Sequence, residues 1–454
     1  MPALQPRILS TQAPRRTGKL GLTFSKDKAE LYLMNFMLYL ALFRGTGMWY
    51  GYPSLFVEGD ALDPMPQQLM LYALAPFILC FVFFQPGLVL SYLKRTTVLV
   101  GFVTVMCIAS IFLSVRMDSS LRGFAAMALL TVPPLLYRLR YGGMQTFRHI
   151  RNFAIFSAFA NAAYIVAFPR FAIMAGSYAG DVKGLFYHKN GLGQFSAVAT
   201  IVLFFWPFDG KALTRERLIQ GVAFLITLGL VVVSKSSTAV IMVAIGMAVI
   251  TGMNVLQNVK QERARSAVVL TTVGYGGLVG GGLAFLAITV VAAAFGKDLT
   301  FSGRSNIWGG LVPLIYDKPV FGHGFAIFRS PDMIAQYVRL TFNARSTHST
   351  YLELCLDMGV PATFAWIVFL LIRMYQKTIA VAQNAQMRIF QGREVAVILI
   401  IAIGASMEAN MMFGPSALWP IMVAALPIDK IAKARRPRRF AFGGKKPPVA
   451  VAGE

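Results

Sequence analysis

The chain has 454 residues, 56% of them hydrophobic and only 14% charged, with a mean hydropathy of +0.61; soluble domains carry about 25% charged residues, so a soluble globular enzyme is excluded. The net charge of +24 comes from 43 Lys and Arg against 19 Asp and Glu. These cations fall in short clusters between apolar runs with no RNA-binding or helix-turn-helix pattern, which excludes nucleic acid as the partner.

A helix that crosses a bilayer takes about 20 apolar residues. The fold class expected is therefore an all-α polytopic membrane protein, with about 12 transmembrane helices and one long external loop containing short helices. Residues 1–28 form a basic cytoplasmic segment with Arg7, Arg15, Arg16, Lys19, Lys26 and Lys28. The apolar run after it is as long as a span and has no small-residue cleavage site, so it reads as an uncleaved anchor.

Apolar runs at 29–48, 67–84, 97–115, 121–137, 152–168, 191–207, 218–233, 238–253 and 267–295 give helices 1–9 of a membrane region over 29–295. Runs at 349–372, 394–412 and 416–428 give helices 10–12 over 349–428, followed by a basic cytoplasmic tail at 429–454. With the N-terminus inside, 30 of the 43 cations lie in cytoplasmic segments and 13 elsewhere, as the positive-inside rule requires. Gly414 and Pro415 interrupt the last two runs, and a re-entrant pair there would return the tail to the same side. The tail's Arg435, Arg436, Arg438, Arg439, Lys445 and Lys446 read as an orientation signal, with anionic headgroups as the competing partner. In GYGGLVGGG, the pairs Gly276 with Gly280 and Gly277 with Gly281 predict close helix packing. Cys80, Cys107 and Cys355 stand singly, which indicates neither zinc nor a disulfide framework.

Residues 296–348 form the one long polar segment. Its aromatic anchors, among them Trp308, Tyr316, Phe325 and Tyr337, predict a short helix over 302–316, a turn from Lys318 to Gly324 and a second amphipathic helix over 331–341. Lys297, Arg304, Lys318, Arg329, Arg339 and Arg345 outnumber Asp298, Asp317 and Asp332 by three, on the side where positive charge is disfavoured. That excess asks for an anionic ligand. His323 and His348 lie here and His188 in the external loop 169–190, and histidine can serve as base or acid near neutral pH.

Lys189 and Asn190 open the sixth span, where a lysine and a helix N-terminus both favour phosphate. Glu408 stands inside the eleventh, where a carboxylate is expensive and functional, and pairing with a buried Arg or His is its expected role. Asp357 reads as structural polarity lining the cavity. Glu58, Asp60 and Asp63 in VEGDALD are the residues a metal-dependent transferase would use, but the basic loop argues that side chains hold the phosphate. A secondary transporter or flippase would show internal repeats with broken helices, and no repeat is found.

GRSNIW (Gly303 to Trp308), PVFGHGFAIF (Pro319 to Phe328) and HSTYLELCLDMG (His348 to Gly359) resemble the run GRxxIW, PxxGxGxxxF, HNxYLxxxxExG of the O-antigen ligase and O-antigen polymerase superfamily. HKNGLG (His188 to Gly193) is similar to the HKNxLG signature of its exopolysaccharide polymerase branch, and SKSSTA (Ser234 to Ala239) to its SxSRTA turn between spans seven and eight. The resemblance runs from about 180 to 412. Two positions depart from it: Ser349 replaces the Asn after the histidine, and Ser237 replaces a phosphate-binding Arg, two residues after Lys235.

The resemblance implies a glycosyltransferase of the bacterial inner membrane, with both termini cytoplasmic and 296–348 as a periplasmic catalytic loop. It would polymerise undecaprenyl-diphosphate-linked oligosaccharide repeats into exopolysaccharide or O-antigen; the alternative is a ligase that transfers the glycan to lipid A core. HKNGLG favours the polymerase. The implied partners are the undecaprenyl-diphosphate-linked donor, the glycan acceptor, membrane lipids, and flippase and chain-length regulator proteins. No cofactor or metal is implied. The catalytic residues expected are His348 as base, Arg304 stabilising the diphosphate leaving group through its planar fork, and Glu408. Lys189, Asn190, Lys235, Arg329 and Arg345 are expected to bind diphosphate or substrate, while His188 and His323 are supporting residues.

Overall fold

The computed structural model describes residues 26–48, 65–84, 86–87, 98–175, 179–204, 214–255, 304–329, 333–334, 336, 346–383, 388–408 and 418–427. Among them the chain is helical, with no strand beyond an isolated bridge between Ile173 and Val182. The long elements are α1 (Lys26–Thr46), α2 (Met65–Phe84), α3 (Val98–Phe112), α4 (Met117–Ala167), α5 (Lys189–Leu203), α6 (Arg215–Val233) and α7 (Ser237–Val255). They are followed by α8 (Arg304–Asp317), α9 (Thr350–Met358), α10 (Val360–Gln383), α11 (Arg388–Met407) and α12 (Trp419–Ala425).

The fourth and fifth expected spans are continuous as α4, broken at Gly142. Its φ of 80° and ψ of 169° lie where only glycine sits without strain. The chain doubles back there, because the rings of Tyr137 and His149 are 5.2 Å apart although twelve residues of straight helix would separate them by about 18 Å. Tyr39 of α1 joins the same corner through its hydroxyl, 3.0 Å from His149 Nδ1.

Three helices are long and apolar enough to cross a membrane among the described residues: α4, α6 and Phe390–Met407 of α11. Leu69–Phe83, α3 and Ser237–Met253 are apolar but shorter, and the expected run 267–295, with its glycine pairs, lies outside the described residues. An all-α membrane architecture stands; the number twelve does not follow from these helices. The last expected run, 416–428, is described only over 418–427. Its helix there, α12, has seven residues, about 10 Å of helix, and so does not cross a membrane by itself.

Burial sorts the helices. α5 is central, with every residue from Leu192 to Leu203 buried against α4, α6, α7 and α11. α6 instead exposes Leu218, Leu225 and Val232, as a helix that is apolar all round does where lipid is the solvent.

At the Gly142 end lies a buried ionic cluster that the sequence reading did not anticipate. The Glu394 carboxylate is paired with both Arg138 and Lys377, whose Nζ lies at 2.6 Å. Arg138 also donates to Ala424 O at 3.1 Å and Pro427 O at 3.0 Å, and Lys377 to Pro427 O at 2.9 Å. All three side chains are at most 2% exposed. Two cations thus share one carboxylate and the Pro427 carbonyl just past α12, so the cluster ties α4, α10, α11 and the end of α12 together. From Glu394 to Glu408 the chain advances fourteen residues, about 21 Å of helix, which separates this cluster from the site at the other end.

Candidate functional site

Glu408 is the residue on which the site converges. It follows the last turn of α11, and its backbone carbonyl accepts from both Thr350 N (3.2 Å) and Thr350 Oγ1 (2.8 Å). The start of α9 is thereby pinned to the end of α11. Ser349 caps α9, its Oγ accepting from Leu352 N. His348, immediately before, takes a left-handed φ of 51°, a conformation non-glycine residues occupy sparingly and mostly where function or packing demands it.

The carboxylate of Glu408 stands between two of the other expected residues. Asn190 Nδ2 donates to Oε1 at 2.9 Å, and His348 Nδ1 lies 3.6 Å from Oε2. The latter is an ion-pair distance, longer than a hydrogen bond. His348 Nδ1 is buried and has no hydrogen-bond partner among the described residues. Catalytic hydrogen bonds are often long until substrate closes the site.

His188 caps α5, its Nδ1 accepting from Asn190 N at 3.2 Å. Burial is the main reason its pKa lies below the usual histidine value; Glu408 pulls it up, and Lys189 and His348 push it down. His188 is thus a neutral cap held in the field of the same groups.

Lys189 points into a second half of the site. It is buried, 4% exposed, and ion-paired with Asp181. Lys235 Nζ reaches the other oxygen of Asp181 at 3.0 Å, with its side chain half exposed. The sequence reading took Lys189 for a phosphate-binding residue next to the external surface; in the structure its ammonium meets a carboxylate. Burial alone would raise the Asp181 pKa, but hydrogen bonds and charge from the two lysines outweigh it and hold the carboxyl below its ordinary range.

Two local features bring these lysines together. Met174 N donates to Asp181 O (2.8 Å) and Asn161 Oδ1 accepts from Leu185 N (3.0 Å), which fixes the loop that carries Asp181. Gly193 lets α5 touch the turn at Ser234–Ser236: a Cβ there would meet Ser234 Oγ at 2.6 Å and Ser236 Cβ at 2.8 Å. Lys235 occupies this turn with a left-handed φ of 50°, and Ser237, which stands where the resemblance has arginine, is the first residue of α7. Consecutive residues of one helix start therefore serve both halves, Lys189 the cationic one and Asn190 the Glu408–His348 one.

The polar loop is built onto α9. Helix α8 covers 304–317, close to the expected 302–316, and Trp308 Nε1 donates to Thr347 O at 2.9 Å, next to His348. Arg304 is the first residue of α8, one turn before Trp308; its side chain, like Arg345 and most of 331–341, lies outside the described residues. His323 Nε2 lies 2.9 Å from Leu314 O, a turn anchor. Asp357 accepts from Ala326 N (2.8 Å) and Phe328 N (3.4 Å), a structural post. Arg329, expected to meet diphosphate, pairs with the buried Glu353 at 2.6 Å and stacks on Phe325. A guanidinium so engaged braces the loop.

Glu353 and Asp181 are the residues that sequence reasoning missed. Asp181 carried a signal, being the sole acid in the loop 169–190. Glu58, Asp60 and Asp63 lie outside the described residues.

Residues 222–367 match a protein-family model described as O-antigen ligase. The match contains GRSNIW, the glycine turn, His348 and α9, and agrees with the superfamily that those motifs resemble. Lys189, Asn190 and Glu408 fall outside it. No curated protein matches the chain.

Proposed function

We propose, for a chain that carries an O-antigen ligase family segment over residues 222–367, that it polymerises undecaprenyl-diphosphate-linked oligosaccharide repeats into exopolysaccharide or O-antigen at the periplasmic face of the inner membrane. The observation that carries this reading is the meeting of His348, Glu408 and Asn190 next to the Lys189–Asp181–Lys235 group. One half can take a proton, and the other carries the positive charge that a diphosphate needs.

In this reading the acceptor hydroxyl attacks the anomeric carbon of the donor while the bond from that carbon to the diphosphate oxygen breaks. The electron pair leaves with the diphosphate, and the hydroxyl proton passes to His348. Glu408 orients the imidazole and stabilises the charge it gains, and Asn190 fixes the carboxylate. Lys235, with Arg304 at the start of α8, stabilises the negative charge on the leaving group, where cations placed in advance lower the barrier most.

The family description itself favours the second reading, a ligase acting on lipid A core. One experiment separates the two. Loss of a polymerase leaves single repeats on the polyprenyl diphosphate, and loss of a ligase leaves long unligated polymer. Mass analysis of lipid-linked glycans in a deletion strain is expected to find single repeats; long lipid-linked polymer would overturn the polymerase reading.

A further inference from the structure

The Lys189–Asp181–Lys235 group has two unequal limbs. Lys189 and Asp181 face each other with side chains 5% and 12% exposed, and a buried pair of this kind is costly to break because its charges have left water. Lys235 meets the same carboxylate with its side chain 49% exposed, and exposed pairs are held weakly. One lysine is therefore fixed to Asp181, while the other rests on it.

The resting lysine is where an anion would be drawn. It stands in the Ser234–Ser236 turn just before α7, and Gly193 brings the beginning of α5 against that turn. Two helix N-termini, each with partial positive charge, so converge beside Lys235. Among the described residues the negative side chain that pairs with this ammonium is Asp181, and it is held in place by Lys189 on its far oxygen.

We propose that Asp181 is a positioning residue that acts as a resident counter-ion: it holds Lys235 in the empty site and yields it to an incoming diphosphoryl group, so that anion binding is an exchange of carboxylate for phosphate on a tethered cation. The proposal rests on the reading of the site as one that binds a diphosphate. It explains why this chain can place lysines beside each other without an arginine at Ser237: the carboxylate keeps the two ammonium groups together until an anion replaces it on one. It also makes Asp181 a selectivity element. A singly charged anion would gain little over the carboxylate it displaces, whereas a diphosphate, with its higher charge, gains much.

The test measures binding of inorganic diphosphate, and separately of undecaprenyl diphosphate, to the full chain in phosphatidylcholine nanodiscs by calorimetry at two salt concentrations. Asp181→Asn is expected to tighten diphosphate binding about tenfold, to lower the donor KM and to leave kcat unraised. Because that variant strands Lys189, the double variant D181N/K189Q, which removes both members of the buried pair, is measured beside it and is also expected to bind more tightly than wild type. Adding Lys235→Ala is expected to abolish the gain in either background, and Lys235→Arg to preserve it. D181N adds a positive charge to the site and would attract any anion more strongly, whereas D181N/K189Q keeps the net charge of wild type, so the gain in the double variant is the one that a merely structural Asp181 does not yield. If monodisperse D181N/K189Q binds diphosphate as wild type does or more weakly, the proposal is overturned. Failure of the polymerase reading would look different, because it would appear in the lipid-linked glycans while the exchange at Lys235 persisted.

Discussion

Replacing Glu408 by Gln isolates one interaction of the site. The amide keeps the size of the side chain and an oxygen for Asn190 Nδ2, and the Thr350 contacts are to the backbone carbonyl, which the change does not touch. What is lost is the charge 3.6 Å from His348 Nδ1. Two unit charges at that distance interact by about 1 kcal/mol in water and about 5 kcal/mol at an effective dielectric of about 20. With His348 33% and Glu408 10% exposed, the site lies between those limits. If about half a charge has developed on the imidazole in the transition state, the loss is about 0.5–2.5 kcal/mol, or roughly 2- to 60-fold in turnover at about 1.4 kcal/mol per tenfold. The assay is donor consumption by purified protein in lipid, with kcat and KM resolved for wild type, Glu408→Gln, His348→Ala and the double variant. His348→Ala is expected to cost about 10²- to 10⁴-fold. Glu408→Gln should then cost nothing further, because the charge it stabilised is gone. If the two losses multiply in the double variant, or if Glu408→Gln leaves kcat intact, Glu408 does not act through His348.

At the opposite end, Glu394→Gln strands two buried cations and is expected to lower stability by about 3–5 kcal/mol, read as the unfolding midpoint in mild detergent titrated with dodecyl sulfate. Lys377→Met, which leaves Arg138 paired with Glu394, should cost less; the reverse order would refute the charge argument. Gly193→Ala forces its new methyl against Ser234 and Ser236 and is expected to cost about 1–3 kcal/mol by overpacking. It should also weaken diphosphate binding by moving Lys235, so normal binding would contradict the packing described. The His188 pKa lies below the unfolded value of about 6.5. Below that pH the unfolded chain therefore takes up the proton more readily, and stability falls as pH falls from about 7 to 5. His188→Asn keeps a good helix cap and should flatten that part of the profile; an unchanged difference between the two profiles would refute it.

Much of the site was legible because its residues stand next to strong local signals. His348 precedes the cap of a helix, Lys189 and Asn190 begin one, and Lys235 lies in a short turn between two apolar runs. Apart from the Arg or His expected beside Glu408, what they pair with was not legible. The contact of Asn190 with Glu408 spans 218 residues, and no periodicity encodes it. The basic excess of residues 296–348 was counted to a boundary at His348, yet Glu353 and Asp357, just past it, fold back under the loop and take up Arg329 and two backbone N–H groups. A charge count by segment thus overstated how much cation is open to a ligand. The reversal at Gly142 was readable as a gap between two runs, whereas its tightness depends on a glycine backbone conformation that hydropathy does not register.

The cluster around Glu394 also has a history within each molecule as it is made. Arg138 is synthesised 256 residues before Glu394 and 289 before Pro427. At about 5–20 residues per second, its guanidinium waits on the order of ten seconds to a minute for the groups that neutralise it. Until then a half-made chain lacks the carboxylate and the carbonyl that Arg138 meets in the finished one. Only when Pro427 arrives is the set of partners around that charge complete and the clasp closed. The clasp is thus a mark of completion, and a chain stopped short of Pro427 lacks a group that closes it.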